Sequence, residues 1–492
     1  GAPSGDRHIL FYNPPIVDRA LGIRRSPILE GRALAERLID RGLQTIVFAR
    51  SRVSAEVLLT YLLADARRRN WGAQTVRGYR GGYLATERRQ VERGLREGTV
   101  RGVVATNALE LGVDIGELAA VVMVGYPGTI ASAWQQIGRA GRRRGSSLAV
   151  LVAGGSALDQ YIVLHPEYLL GRSPEHALIN PQNPLILLGH LACAAFELPF
   201  HDGELYGEQD VSAYLDLLRE DGLLHRAGGV YYWVGESYPA EGVSLRSSGP
   251  DSFVIAEEES GRTIGAVEPF AAPMLIHEGA IYLHEGQPYQ VTSLDWEGRR
   301  ARVKPVQVDY YTDASSSTHV HVVEEHAQEQ GAGICKGQGT VRVTSVTSVY
   351  RKVRLYTHEN LGWGTIDLPE QEMETQGCWF WFPAEVAAAL VEEGVLSPEV
   401  RFDRGPNWHE MRRRARERDG FRCRHCGAPE RDDREHDVHH LRPFREFGYE
   451  PGKNDLYLAA NQLTNLITLC RRCHWRADGS QVPGGSLAGV GH

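Results

Sequence analysis

Four cysteines fall in two C-x-x-C pairs, Cys423 and Cys426 in CRHC and Cys470 and Cys473 in CRRC. Thiolates at that spacing chelate in pairs, each through a tight knuckle. The four are expected to close one structural Zn2+ site with no free position. Between the pairs lies DVHH, with His439 and His440, and then NLITL, opened by Asn465; His474 directly follows the last cysteine. Adjacent side chains on a strand point to opposite sides. One histidine of the pair can therefore bind a metal while the other faces substrate or a bound water. His474, opening a helix after the knuckle, can complete that metal site, and Asn465 can bond backbone across the loop and orient a general base. A metal that stabilises a scissile phosphate, with a neutral histidine that deprotonates water, is the chemistry of a one-metal phosphodiesterase. The alternative is a zinc fold that cuts nothing and only anchors DNA.

A second constellation is VVATNALELGVDIG (103–116) followed by QQIGRAGRR (135–143). The latter contains Q-x-x-G-R-x-G-R, with Gln135, Gly138, Arg139, Gly141 and Arg142. Two arginines three apart on a helix project from one face, and the glycines keep that face clear for a triphosphate. Arginines so placed neutralise charge on a transferred phosphoryl group. Thr106 ends a strand, where its hydroxyl can meet a backbone phosphate of nucleic acid. Asp114 follows a Gly turn, where it can sense the nucleotide.

The elements around these residues follow from pattern. QTIVFAR, RGVVATN, AAVVMVG and SLAVLVAGG are short apolar runs of the kind buried parallel strands show. SAEVLLTYLLADARRR between them has helical spacing, with Ser54 as the expected cap. Strand and helix in turn imply a doubly wound α/β domain. PLILLGHLACAAFEL and VSAYLDLLREDGLL read as helices, and LLHRAGGVYYWVG as a hairpin turning on Gly228-Gly229, together a winged helix. Residues 241–400 are rich in Val, Thr and Tyr with Gly turns and read as antiparallel β, with HVVEEHAQEQGAGICKGQG as a loop. From residue 401 onward Lys plus Arg number 17 and Asp plus Glu 13, a local +4 in a chain whose net charge is −8. This end is therefore locally basic: the usual reading of such a run is a solvated helix face, while a local basic groove would be enough for nucleic acid despite the overall charge.

At 492 residues the chain is too long for one core. No apolar run is long enough to span a membrane. Seven cysteines, four of them in C-x-x-C pairs, suit a reducing cytoplasm better than a disulfide framework.

The second constellation resembles motifs V and VI of the second RecA-like domain of superfamily 2 DExH helicases, and TIVFARSR resembles their motif IV. That resemblance makes Arg139 and Arg142 arginine fingers and puts Thr106 and Gly112 near DNA and the domain interface. Gln135, Gly112 and Asp114 then serve ATP and the interface, and Arg80 and Gly81 in RGYRGGYLATERR are expected to contact phosphate. GYPGTIASAWQQIGRAGRR, HPEYLLGRSPEHALINPQNPLILLGHLACAAFELPF and YRKVRLYTHENLGWGTIDLPEQEMETQGCWFWFP resemble the mitomycin repair factor A branch, whose members are 3′-to-5′ DNA translocases. Neither G-x-x-x-x-G-K-[ST] nor D-E-x-H occurs in these residues. The expectation is therefore the C-terminal part of a motor, binding single-stranded or forked DNA. It would hydrolyse ATP-Mg2+ only with a missing N-terminal RecA-like domain.

RDGFRCRHCG, DVHH, NLITLC and CH resemble the HNH, or ββα-metal, endonucleases in their zinc-knuckle version. By that resemblance His440 is the general base, His439 and His474 hold Mg2+ or another divalent ion, and Asn465 positions. Asp478, one helical turn after His474, is a possible further ligand. The expected fold is multidomain α/β plus β. A RecA-like parallel-sheet domain (1–178) is followed by a winged helix (179–240), antiparallel barrel-like β (241–400) and a zinc-stapled ββα domain (401–492).

Overall fold

The computed structural model describes residues 5–19, 22–110, 115–116, 118–141, 145–177, 183–243, 252–331, 333–395, 404–430, 435–449, 454–470, 473–474 and 477. The chain divides into two compact units, one of Gly1–Pro269, Leu283–Gln287 and Asp295–Val303, the other of Phe270–Tyr282, Pro288–Leu294 and Lys304–His492. Among the described residues no helix is long and apolar enough to cross a membrane.

The first unit is built on a six-stranded sheet in the order Arg7–Tyr12, Ser147–Val152, Ala120–Val124, Thr45–Ala49, Gly102–Ala105, Val76–Tyr79. Every neighbouring pair is parallel. The central strands are almost wholly apolar because both faces are covered. Ile46, Phe48, Val103, Val121, Met123 and Leu151 feed one core, and Val47, Ala49, Val104, Val122, Val124 and Val150 the other. The helix expected to start at Ser54 begins earlier, at Arg52. Ser51 is its cap, its hydroxyl accepting the backbone N–H of Ser54 at 3.0 Å. Either serine satisfied the sequence rule; the extended backbone at Ser51 decides it.

Helices Pro184–Glu197 and Ser212–Glu220 pack with strands Phe200–His201, Leu224–Ala227 and Val230–Trp233 around Leu187, Leu191, Leu215, Leu218 and Tyr231. The hairpin turns on Gly228 and Gly229, with φ of +60° and +79°. Two successive positive φ values make the tight turn that matches strand twist, and glycine reaches them without strain.

In the second unit, Tyr310–Gln330 and Cys335–Arg354 form one long antiparallel hairpin. Gln371–Trp381 pairs along its Cys335–Ser345 half and Asn360–Thr365 along the remainder. The stretch HVVEEHAQEQ, expected as a loop, is therefore strand. Its mostly polar, exposed side chains hid it from a pattern that looks for one apolar face, while backbone pairing to residues 335–342 holds it extended. These described strands form an open ladder; the barrel-like closure remains an expectation.

Candidate functional sites

In the first unit the motif residues cluster at the carboxyl ends of the parallel strands, where doubly wound sheets bind ligands. Thr106 follows Gly102–Ala105 and is 8% exposed at the start of the turn Asn107–Leu109. Helix Ile130–Gly138 delivers Arg139, whose Nε and Nη2 both donate to the carbonyl of Glu110, at 3.2 and 2.9 Å. The Glu110 carboxylate accepts from Gln136 Nε2 at 2.5 Å and from Ser132 at 2.8 Å. Glu110 thus latches the two motifs together, a role the sequence reading did not assign. Gln136, rather than the half-buried Gln135, makes that contact. Gly112, Asp114 and Arg142 lie outside the described residues.

Arg80 corrects an expectation. It is 2% exposed, and its Nε donates to Glu56 at 2.6 Å while Nη2 donates to the carbonyl of Leu283 at 3.1 Å. Tyr83 completes the group, donating to Glu56 at 2.7 Å and lying under the guanidinium. An arginine so enclosed is structural and presents no face to a phosphate. Gly81 is half-buried beside it. Glu56→Ala would leave a buried guanidinium unpaired. It is expected to cost about 3–5 kcal/mol, read as a lowered urea midpoint for unfolding of this unit.

The second site lies between residues 404 and 477. Helix Trp408–Arg418 is held by Arg416, which donates twice to Glu430, at 2.8 and 2.6 Å. Beyond it the sulfurs of Cys423, Cys426, Cys470 and Cys473 all lie within 4.8 Å of one another, Cys426 to Cys470 at 3.7 Å. Thiolates about 2.3 Å from a tetrahedral zinc stand about 3.8 Å apart, so this donor set fits that ion with little movement.

Strands Asp437–His440 and Leu466–Leu469 pair antiparallel, His440 opposite Leu466. Alternation sends the two histidines different ways. His439 is buried and meets His474 edge-on, ring centroids 5.0 Å apart. Two imidazoles sharing one ion at ~2.1 Å place their centroids about 5 Å apart, so this separation leaves room for a shared ion. His440, 7% exposed, stacks on Trp408 with centroids 4.9 Å apart and lies edge-to-face with Phe444 at 5.3 Å. Burial, with Arg404, His439 and His474 adding to it, lowers its proton affinity below the ordinary histidine value; a hydrogen bond with Asn461 acts the other way. Such a ring is favoured neutral, as a base must be.

Asn465 brackets Arg442, two residues past His440. Its Oδ1 accepts from the Arg442 N–H at 2.8 Å, and its Nδ2 donates to the carbonyls of Arg442 and Ala460 at 3.2 and 2.8 Å. Asp478 lies outside the described residues. The long stretch between His440 and Asn465 carries the turn Phe444–Phe447 and the helix Tyr457–Ala460. Through Phe444, Tyr449 and Tyr457 it builds an aromatic wall reaching His440.

Three protein families match parts of the chain, and the matched ranges cover the residues of both sites. Residues 31–144 match the helicase conserved C-terminal domain, 179–248 the winged helix domain of ATP-dependent helicase HRQ1, and 423–478 the HNH endonuclease family. An uncharacterized ATP-dependent helicase of Bacillus subtilis, YprA, is 50% identical over 77% of this chain. The crystal structure of the DUF1998 helicase MrfA bound to DNA is 49% identical over 77% of it, with a TM-score of 0.65. The chain is a homologue of YprA and the MrfA-like DUF1998 helicases. It carries an HNH domain toward its C-terminal end. ATP-dependent helicase HRQ1 of Saccharomyces cerevisiae is a further relative, 36% identical over 65% of this chain. The chain spans 51% of YprA, 51% of the MrfA chain and 30% of HRQ1.

Proposed function

We propose that this helicase-family chain is the DNA-engaging part of a 3′-to-5′ translocase joined to an HNH domain that nicks the DNA presented to it, in repair or in defence against foreign DNA. One observation carries the nuclease half. A two-stranded hairpin beside a four-sulfur cluster brings together a metal-capable pair, His439 and His474, and a buried histidine, His440, on the opposite side of the strand. DNA as partner is supported by the MrfA structures, whose chains were captured with DNA and with DNA and AMPPNP.

Zn2+ would be held by the four cysteines, and Mg2+ or another divalent ion, held by His439 and His474, would supply positive charge at the scissile phosphate. His440 takes a proton from water, and Asn465 keeps the loop after it in place. ATP turnover belongs to the motor half. In this proposal it needs a RecA-like domain bearing a G-x-x-x-x-G-K-[ST] sequence, which these 492 residues do not contain.

Supercoiled plasmid incubated with the zinc-loaded chain and Mg2+, Mn2+ or Ni2+ is expected to relax to nicked circles, and EDTA to stop it. Plasmid bound but never cut with any of the three would overturn the nuclease reading in favour of a DNA-anchoring zinc domain.

A further inference from the structure

We infer that Asn461 is the positioning residue of the nuclease base, and that it makes Nδ1 of His440 the atom that accepts the proton. The inference rests on the nuclease reading above and adds to it a residue and an atom.

Asn461 is fully buried, and each end of its amide is spoken for. Its Nδ2 donates to the carbonyl of Arg404 and, at 2.8 Å, to Oδ1 of Asn407. A backbone carbonyl only accepts, so the amide nitrogen must face Arg404. That fixes the other end. Oδ1 faces Nε2 of His440 at 2.9 Å, and since Oδ1 only accepts, Nε2 must carry the hydrogen. A neutral imidazole has one N–H, so the lone pair sits on Nδ1. The tautomer is thus written by a chain of contacts that begins at the Arg404 carbonyl.

The same surroundings fix the plane of the ring. Trp408 stacks on it with an interplanar angle of 21°, and the Arg404 guanidinium lies over the Trp408 ring at 4.7 Å. Phe444 closes an edge. Rotation about the ring's own bond would break the Asn461 contact and unstack Trp408 together. Asn465 holds the loop beyond His440, whereas Asn461 holds the ring itself.

In the step this serves, the water oxygen bonds to phosphorus as the bond from phosphorus to the leaving oxygen breaks. The water proton goes to Nδ1, giving an imidazolium whose Nε2–H stays on Asn461, and the leaving oxygen takes a proton from solvent. An acceptor on Nε2 favours that imidazolium, so Asn461 contributes in the transition state as well as by orientation.

The test uses the full chain with the unmodified protein, Asn461→Leu and His440→Ala side by side. Leucine keeps the volume and removes the acceptor. Asn461→Leu is expected to lose about 100-fold in single-turnover nicking rate, the scale of general base catalysis. DNA affinity should stay within about twofold, since binding residues are untouched, and one zinc per chain should remain. Nitrogen-15 histidine spectra, with His440 assigned by its loss in His440→Ala, should show the Nε2–H tautomer in the unmodified chain and a mixture in Asn461→Leu.

Wild-type nicking in Asn461→Leu would overturn the inference while leaving the nuclease reading intact. An inert unmodified chain would overturn that reading and this inference with it. If Asn461→Leu loses its zinc, the unmodified chain decides by its tautomer: Nε2–H upholds the inference and Nδ1–H overturns it.

Discussion

His440→Ala is expected to reduce metal-dependent nicking by about 10²- to 10⁴-fold, the range general base catalysis contributes. Zinc content and DNA affinity should stay at the level of the unmodified chain. The size of the effect follows from the site's economy. Asn465 is committed to Arg442 and Ala460, and Asn461 to Arg404, Asn407 and His440 itself. His439 and His474 meet edge-on and are, in this proposal, given to the metal. His440 is the one group of this set that is both titratable and free of that metal pair. Its replacement opens a small space between Trp408 and Phe444, which costs stability but leaves the four sulfurs untouched. Residual nicking at the unmodified rate would assign the activity to another protein in the preparation and remove His440 from the mechanism. A metal titration on both proteins separates a lost base from a lost ion: excess Mn2+ should not rescue His440→Ala.

The two sites were legible to different degrees, for a physical reason. The parallel sheet announced itself because a strand buried on both faces is apolar at nearly every position, and short runs such as TIVFA and AVVMV read as strands at that length. The four cysteines were legible because the ion dictates their spacing. Arg80 was misread because an arginine's role depends on its partner, and Glu56, 24 residues earlier, gave no local sign of being that partner. HVVEEHAQEQ was misread because its strand is specified by the neighbouring strand's backbone rather than by its own side chains. Glu110 and Asn461 were missed for the same reason as Arg80: each acts through a contact distant in sequence. Asn461 left a trace nonetheless. An asparagine within the apolar run LYLAANQLTNL has to bond something if it is buried, and the nearest histidine named as a base was the group to ask about.

Cys473→Ser, or removal of zinc by a chelator, is expected to unfold residues 404–477 while the parallel-sheet unit keeps its own transition. Among the described residues the apolar clusters here are small. One consists of Cys423, Leu469, Cys473 and Ala477, the other of Ala415, Val438 and Leu466, each with a few half-buried neighbours. Two of the four residues in the first cluster are themselves the metal's thiolates. So little buried apolar surface leaves the metal as the main stabilising term, and structural zinc contributes about 10–16 kcal/mol at neutral pH in comparably small domains. The strand carrying the histidines depends on it directly. Leu469 pairs with Asp437 and is followed at once by Cys470, and the backbone N–H of Arg424, between the first two cysteines, donates to the carbonyl of Thr468. Release of the knuckle therefore frees both strands of the hairpin and scatters His439, His440 and Asn465. Hydrogen exchange should show loss of protection across 437–440 and 466–469 in Cys473→Ser, with the strands Thr45–Ala49 and Ala120–Val124 still protected, and nicking should vanish with it. Retained protection of that hairpin without zinc would refute the metal's structural role. The contrast with His440→Ala makes the two variants informative together: one removes the chemistry and keeps the fold that presents it, the other removes the fold and takes the chemistry with it.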